Sequence, residues 1–328
     1  MTQTSVNALI EMKRRQFIGR SATMGAVLLS PVSLDITDPL PSTTKHMDFI
    51  TFGAVHLNVT DISRSINFWR DVVGMQVRST GETTEIGTAQ RTLVVLHPGS
   101  KTPYRKGFSG LYHAAIHLPT ETDLAQLLVR LATKGWDVAP TDHIIAKSLY
   151  VDDPDGINLE FAVETPQRVV EFNATENGVQ IVDNQGRFRK PIEPLDVQEL
   201  LSHLTDKNPE RAFPDGAIVG HMNLHVPHLQ TAYDFYTRIG FSRHVLIPRQ
   251  GWGDLGAGGA VDHRIAVNVW AGMNAPKAPE GTAGLRYFTL KYDSQERLSK
   301  ALSNSTNSQK TPDGYFLEDP AGNKFLIA

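Results

Sequence analysis

Four segments of eight residues, similar in character, recur along the chain. They begin at Ala54, His113, His221 and Tyr287 and read AVHLNVTD, HAAIHLPT, HMNLHVPH and YFTLKYDS. Each alternates apolar and polar residues and ends in a turn, which is typical of a half-buried strand. An internal repeat limits the fold more than any single motif, because every copy has to adopt the same local structure.

A segment with the apolar spacing of a helix follows each of these strands. The four segments are ISRSINFWRDVVGM, ETDLAQLLVRLATKGW, LQTAYDFYTRIGF and QERLSKALSNS. Three of them carry a glycine near the end, where helices commonly stop. Further strands come next, and the second and fourth copies close on DDPDGINLEFA and EDPAGNKFLIA. The sequence therefore predicts a βαβββ module that is used four times in an α+β fold.

The modules group into two pairs. A polar stretch separates the second module from the third, and we expect residues 166–216 to form a linker with a short helix in DVQELLSHL. Residues 47–165 and 217–328 are then two tandem domains of two modules each. The length of 328 residues is consistent with about two domains of ordinary size.

Residues 1–46 are interpreted as an export signal and linker that precede the fold. MKRRQFIGRSATMGAVLLSP contains the pair Arg14 and Arg15, followed by an apolar run that ends at Leu29. This segment resembles a twin-arginine signal, and its apolar run is too short for a permanent transmembrane helix. We therefore expect a periplasmic or otherwise exported protein, and a cytoplasmic one if the segment is an ordinary basic tail.

Charge and cysteine content exclude several classes of protein and site. The formal net charge is −3 and no long basic run occurs, so the chain lacks the electrostatic signature of a nucleic-acid-binding protein. It contains no cysteine, which excludes disulfides, thiolate metal ligands and a cysteine nucleophile. A small molecule is the expected partner, and any metal site has to use His, Asp, Glu or Tyr.

The repeat pattern resembles the vicinal-oxygen-chelate superfamily, which includes glyoxalases, fosfomycin-resistance proteins and extradiol dioxygenases. Within it the chain is most similar to the bacterial two-domain catechol 2,3-dioxygenases, through GLYHAAIHLP, DHIIAKSLYVDDPDGINLEF, IVGHMNLHV and NVWAGMNAP. The resemblance extends over nearly everything from residue 50 onward. It implies two tandem vicinal-oxygen-chelate domains with metal-dependent chemistry on a small molecule.

In that superfamily the first residue of a module's opening strand is a metal-ligand position, and the closing strand supplies a carboxylate. The four opening positions here are Ala54, His113, His221 and Tyr287. Among the closing strands, the second module offers Glu160, whereas the third offers Asn268, which is not a carboxylate.

Module pairing decides whether a complete ligand set exists. If neighbouring modules pair, neither cleft has two histidines and a carboxylate. If module two faces module three, His113, Glu160 and His221 converge, and both pairings occur in the superfamily. The remaining cleft, formed by modules one and four, would contain Ala54 and Tyr287 at the ligand positions, and we expect it to be chemically silent. Two histidines and one carboxylate on one face of an ion are typical of non-haem iron oxygen enzymes, so the implied cofactor is Fe2+, with Mn2+ as the alternative.

Three further residues follow the spacing of the extradiol enzymes. The resemblance implies that His143 steadies bound oxygen, that Tyr150 hydrogen-bonds the substrate, and that His263 is an acid–base histidine. The function expected from it is an Fe2+-dependent extradiol ring-cleaving dioxygenase whose partners are an aromatic diol and dioxygen, with homo-oligomerisation left open.

Two other functions stay open. A glyoxalase-like lyase or isomerase would use the metal as a Lewis acid without dioxygen, and a non-catalytic relative would only bind a small molecule. Each histidine or carboxylate, taken singly, could also be an ordinary polar residue of a sheet.

Overall fold

The computed structural model describes residues 47–175, 177–206, 208–305 and 307–328. The predicted export signal, with Arg14 and Arg15, lies outside the described residues and stays a prediction. Within the described ranges, no helix combines the length and the apolar character that crossing a membrane requires.

The first two modules each contain one strand, one helix and three further strands, as the repeats predict. The first consists of β1 (Ile50–Val59), α1 (Ile62–Asn67), a π-helical turn (Phe68–Val73), β2 (Gln76–Thr80), β3 (Thr84–Gly87) and β4 (Thr92–Pro98). The second consists of β5 (Gly110–His117), α2 (Glu121–Thr133), β6 (Ala139–Asp142), β7 (Ala146–Asp152) and β8 (Asn158–Glu164). The one local difference from the sequence pattern is that the end of the first helical segment winds as a π-helix.

The linker has more structure than its polar composition indicates. Its elements are a 3₁₀ turn (Pro166–Arg168), β9 (Val169–Thr175), β10 (Gly178–Asp183), β11 (Phe188–Arg189), β12 (Glu193–Pro194) and α3 (Val197–Ser202). Strands β9, β10 and β11 form a small antiparallel sheet, whereas β12 pairs with β6. Helix α3 confirms the predicted short helix.

The last two modules repeat the same order of elements. The third consists of β13 (Ile218–His225), α4 (Leu229–Arg238), β14 (Ser242–Ile247), a 3₁₀ turn (Pro248–Gln250), β15 (Trp252–Gly256) and β16 (Ile265–Asn268). The fourth consists of β17 (Gly284–Tyr292), α5 (Gln295–Ser303), β18 (Gln309–Thr311), β19 (Gly314–Glu318) and β20 (Lys324–Ile327).

Helix α2 illustrates how local sequence sets the helix ends. Thr120 caps its N-terminus, because the Thr120 hydroxyl accepts a hydrogen bond from the backbone N–H of Asp123. At the other end Gly135 adopts a φ of 70°, a left-handed conformation that glycine tolerates best. Leu124 and Leu128, one turn apart, are fully buried, and the helix packs on β7 and β8.

Two large sheets contain the strands of the four modules. One has the order β18-β19-β20-β17-β1-β4-β3-β2, and the other has the order β12-β6-β7-β8-β5-β13-β16-β15-β14. We call them the one–four sheet and the two–three sheet, after the modules that form them. Antiparallel pairs join the modules, β1 with β17 and β5 with β13. Module two therefore faces module three. Each half of the sequence contributes strands to both sheets, so the domain limits predicted above divide the sequence and do not separate the two sheets.

The centre of the two–three sheet places the candidate ligands on one face. Because side chains alternate across a strand, His113 and Ala115 of β5 share the face opposite the buried Ala114. In the sheet register Ala115 lies beside Glu160 of β8 on one side and beside His221 of β13 on the other. The small Ala115 side chain leaves the space above it open, so larger side chains from three adjacent strands can meet there.

Candidate metal centre

His113, Glu160 and His221 meet at this point and are all buried. Their inward atoms form a nearly equilateral triangle: Nε2 of His113 lies 3.2 Å from Nε2 of His221, and Oε2 of Glu160 lies 3.1 Å from each of these nitrogens. Two ligand atoms at right angles around an ion, each about 2.2 Å from it, would lie about 3.1 Å apart. The triangle therefore fits one face of an octahedral divalent ion, and it would leave up to three positions for other ligands.

The charge states of the triad suit a metal. Burial alone would raise the pKa of the Glu160 carboxyl, but His221 and His113 outweigh it and hold that pKa well below its usual range. Burial, together with the neighbouring His263, lowers the pKa of His221. An ionised carboxylate beside a neutral imidazole is the form in which both groups bind metal ions.

Ser148 orients the carboxylate of Glu160. Its hydroxyl, which is fully buried on β7, donates a hydrogen bond of 2.6 Å to Oε1 of Glu160. Since Oε1 is held in this way, Oε2 is the oxygen that faces the two histidines. No local sequence pattern marks Ser148 as a residue of the site.

His143 and Tyr150 lie next to the triad as a hydrogen-bonded pair. Nδ1 of His143 lies 2.8 Å from the carbonyl oxygen of Pro191, and because a carbonyl only accepts, Nδ1 carries the proton. Burial lowers the pKa of His143, so the ring is neutral and its Nε2 accepts from the Tyr150 hydroxyl at 2.9 Å. The Tyr150 ring centroid lies 5.5 Å from that of His113, which places the pair within reach of a ligand bound there.

His263 approaches the triad from the opposite module. Its ring centroid lies 4.2 Å from that of His221, and its Nδ1 donates to Oδ2 of the buried Asp254 at 2.8 Å. Burial opposes a charge on His263, but Asp254 outweighs it and raises the pKa of His263 above its usual value. The structure thus brings His143, Tyr150 and His263 around the same centre, and it adds Asp254, which sequence reasoning missed.

In module three the position that matches Glu160 is Ala266, which lies beside Asn223 as Glu160 lies beside Ala115. The assignment of Asn268 to this position from the sequence is therefore wrong, although Ala266 is not a carboxylate either. Asn268 lies two residues further along β16. Its side chain is fully buried, its Nδ2 donates to Oδ1 of Asn223 at 2.8 Å, and its Oδ1 lies 2.6 Å from Nδ1 of His225. The amide is therefore engaged in a polar network of the protein, and both of its ends have partners.

An aromatic wall borders the centre. The Tyr112 ring lies 5.0 Å from His113 and edge-on to Trp270 at 5.4 Å, measured between centroids. The register of β5 against β13 shifts at Tyr112, and such a bulge re-aims a side chain. Trp270 is 42% exposed, which marks this side as the open one. Planar aromatic ligands stack well on such walls.

The cleft of the one–four sheet, which we expect to be chemically silent, contains two histidines beside its ligand positions. The ligand positions carry Ala54 and Tyr287, as the sequence indicates, but His56 and His97 lie beside them with Nδ1 and Nε2 2.9 Å apart. Tyr287 stacks on His56 at 3.8 Å. Burial, His97 and Arg286 lower the pKa of His56 to about 3. The cleft therefore contains two neutral imidazoles in addition to the residues at its ligand positions, and its chemical silence stays a prediction.

A second group with metal-type side chains occurs near the surface. Within the described ranges it consists of Glu121, Glu199 and His203. The ammonium group of Lys147 bonds Glu121 and lies 2.6 Å from Oε2 of Glu199. A cation of the protein already neutralises these carboxylates, so the group resembles an ion-pair network.

Comparison with known proteins agrees with this fold. Residues 50–161 match the model of the Glyoxalase/Bleomycin resistance protein/Dioxygenase superfamily. A catechol-2,3-dioxygenase of Bacillus subtilis is 28% identical over 284 residues, which cover 84% of this chain and 95% of the relative. A metallothiol transferase of Staphylococcus epidermidis is 25% identical over 134 residues, 40% of this chain and 94% of the relative. Glyoxalase I from Zea mays is 15% identical, with a TM-score of 0.51, and the match covers 85% of this chain and 92% of that one.

The fold is thus that of the two-domain glyoxalase and dioxygenase proteins. The match of residues 50–161 to the superfamily model, together with the similarity to a catechol-2,3-dioxygenase, confirms the resemblance recognised in the repeats. The similarity to a catechol-2,3-dioxygenase over most of both chains supports an enzyme of this superfamily.

Proposed function

We propose that the protein is an Fe2+-dependent extradiol dioxygenase that cleaves the ring of a catechol-type diol. The observation that carries the proposal is the buried triangle of His113, Glu160 and His221, with a neutral His143–Tyr150 pair on one side and His263 on the other. The similarity to a catechol-2,3-dioxygenase supports the same reaction.

The donor set suits iron. Two imidazoles and one carboxylate on a single face are the ligands of many non-haem Fe2+ oxygen enzymes, and Mn2+ accepts the same set. When bound, the ion supplies the redox step by passing electron density from the chelated diol to dioxygen. Both oxygen atoms enter the product as one ring carbon–carbon bond breaks, so diol and dioxygen balance without an added reductant.

The residues around the triad bind the diol and move its protons. His263 is the proposed base: its Nδ1 is fixed on Asp254, so Nε2 is the atom that accepts the diol proton, and Asp254 stabilises the resulting imidazolium. His143 is fixed through Nδ1 on Pro191, so its Nε2 is an acceptor, and it can bond a donor of the substrate only in exchange for the Tyr150 hydroxyl. That exchange would leave the Tyr150 hydroxyl free to hydrogen-bond the reacting atoms. The aromatic wall of Tyr112 and Trp270 would hold the ring.

The alternatives predict different residues. A glyoxalase-like lyase commonly uses a second carboxylate on the metal, but Ala266 stands at the matching position of module three, and the amide of the nearby Asn268 is engaged with Asn223 and His225. A plain binding protein has no need of a buried carboxylate that raises the pKa of a histidine beside the ligands.

The test is elemental analysis of anaerobically purified protein, followed by a catechol assay with and without dioxygen. We expect iron, a ring-opened product, and consumption of diol and dioxygen in equal amounts. Turnover of a glyoxalase substrate without dioxygen would favour the lyase. Tight catechol binding with no product in the presence of iron and dioxygen would favour the binding protein.

A further inference from the structure

His117 contacts the face of His221 that points away from the triad. It lies on β5 four residues after His113, on the same side of the sheet, and it is 8% exposed. Its Nε2 lies 3.0 Å from Nδ1 of His221. On the other side of the ring, Nδ1 of His117 lies 3.3 Å from Oε1 of Glu164. The three side chains therefore form a row that leads from the triad to a carboxylate.

A bound metal would fix every proton in this row. His221 faces the triad with Nε2, and a neutral imidazole that binds metal through Nε2 carries its proton on Nδ1. That proton can only be donated to Nε2 of His117, which must then be an acceptor. His117 consequently carries its own proton on Nδ1, the nitrogen that faces the Glu164 carboxylate.

Gly220 makes this arrangement sterically possible. It lies between Val219 and His221, where the register of β13 against β5 shifts. A Cβ atom at position 220 would lie 2.1 Å from Cγ of His117 and 2.2 Å from Cδ2 of the same ring. The imidazole of His117 therefore occupies the space that any other residue at position 220 would fill with its side chain.

Glu164 is in turn held in place and kept ionised. Nη1 of the buried Arg264 lies 2.6 Å from Oε1 of Glu164, and Nε of the same guanidinium lies 2.6 Å from Oδ2 of Asp48. His113 differs from His221 in this respect, because its Nδ1 has no hydrogen-bond partner within the described ranges. The two ligand histidines are therefore supported unequally by the protein.

We infer that His117 and Glu164 are positioning residues: they fix the ring orientation and the proton location of His221 so that its Nε2 is presented to a divalent ion. This rests on the proposed function only in requiring that an ion binds at the triad. Partners of this kind typically change metal affinity by 10–100-fold when they are removed.

The experiment measures the dissociation constant of Co2+ by the absorption of the metal-loaded protein, together with the thermal stability of the metal-free protein. The variants are His117→Leu, His117→Gln and Gly220→Ala. The matched control is His225→Leu. His225 is as buried as His117 and has the same place in its strand, four residues after a ligand histidine. It bonds Asn268 and not a metal ligand.

We expect the dissociation constant to rise about 10–100-fold in His117→Leu and in Gly220→Ala, with an altered cobalt spectrum. His117→Gln should recover most of the affinity, because its amide oxygen can accept from His221 and its NH₂ can donate to Glu164. His225→Leu should leave the constant nearly unchanged. An unchanged constant in His117→Leu, or a glutamine variant as weak as the leucine variant, would overturn the positioning role.

These outcomes are separable from those of the catechol assay. If the parent protein binds Co2+ at the triad but its iron form does not cleave catechol, the dioxygenase proposal falls while the comparison of dissociation constants still decides the role of His117. If the parent protein binds no divalent ion, both proposals fall.

Discussion

Replacement of Asp153 by asparagine should change how stability depends on pH. Asp153 lies in the turn before β8, and its Oδ1 accepts hydrogen bonds from the backbone N–H groups of Asp155 and Ile157. Its Oδ2 is buried without a partner within the described ranges. Burial is the main cause that raises the pKa of this carboxyl from 3.8 to about 7.

The direction and the size of the change in stability follow from this pKa. The unfolded chain releases the proton near pH 4, whereas the folded protein retains it until about pH 7, so stability falls as the pH rises between these values. About three pKa units correspond to roughly 4 kcal/mol. Asparagine keeps the Oδ1 acceptor and has no charge, but its buried NH₂ lacks an acceptor, which costs about 1–3 kcal/mol. The variant should therefore be more stable by roughly 1–3 kcal/mol at pH 8 and less stable at pH 4.

Denaturant unfolding of the metal-free protein at several pH values tests this prediction. Asp319→Asn is the matched control, because Asp319 occupies the same turn in module four but its Oδ2 accepts from Tyr236 and Asn323. That control should lose stability at both ends of the range, since the amide would present a donor to these donors, and the loss should be smaller at pH 8 because burial also raises the pKa of Asp319. If Asp153→Asn were destabilised equally at pH 4 and pH 8, the raised pKa of Asp153 would be refuted.

Three further predictions concern the metal centre. Glu160→Ala should abolish nearly all tight metal binding, because the variant removes the only carboxylate of the triad; metal analysis that finds one tight equivalent would place the ion elsewhere. His263→Ala and His143→Ala should each slow turnover by about 10²–10⁴-fold with iron content intact. Full activity in both variants would refute the catalytic roles of these histidines, and loss of iron would mean that the histidines are metal ligands. Asp254→Asn should shift the acid limb of the pH profile of kcat/KM to lower pH. Without the Asp254 carboxylate, His263 loses the main interaction that offsets the lowering of its pKa by burial. An acid limb at the same pH as in the parent protein would assign that limb to a group other than His263.

The modules and the strand face on which each candidate ligand lies could be predicted because both depend on local periodicity. Alternation along β5 and β13 assigns His113 and His221 to a face, and the repeat aligns the two strands. The choice between the two pairings came from counting ligands, since no local signal distinguishes them. His56 and His97 could have been found in the same way, because His56 is two residues after Ala54 and therefore shares its face.

Other parts of the site depend on contacts that periodicity does not encode. The carbonyl of Pro191, which fixes the proton on His143, comes from the linker 48 residues away. Asp254 reaches His263 from the neighbouring strand, and the Ser148 hydroxyl meets Glu160 only through the register of β7 against β8. The small sheet of β9, β10 and β11 was missed because its strands are mostly polar and half-exposed.

Anomalous X-ray diffraction at the iron absorption edge, from crystals of the iron-loaded protein, tests the central claim most directly. The account predicts one strong peak within about 2–2.5 Å of Nε2 of His113, Oε2 of Glu160 and Nε2 of His221. A peak between His56 and His97 of the one–four sheet, with none at the triad, would contradict it.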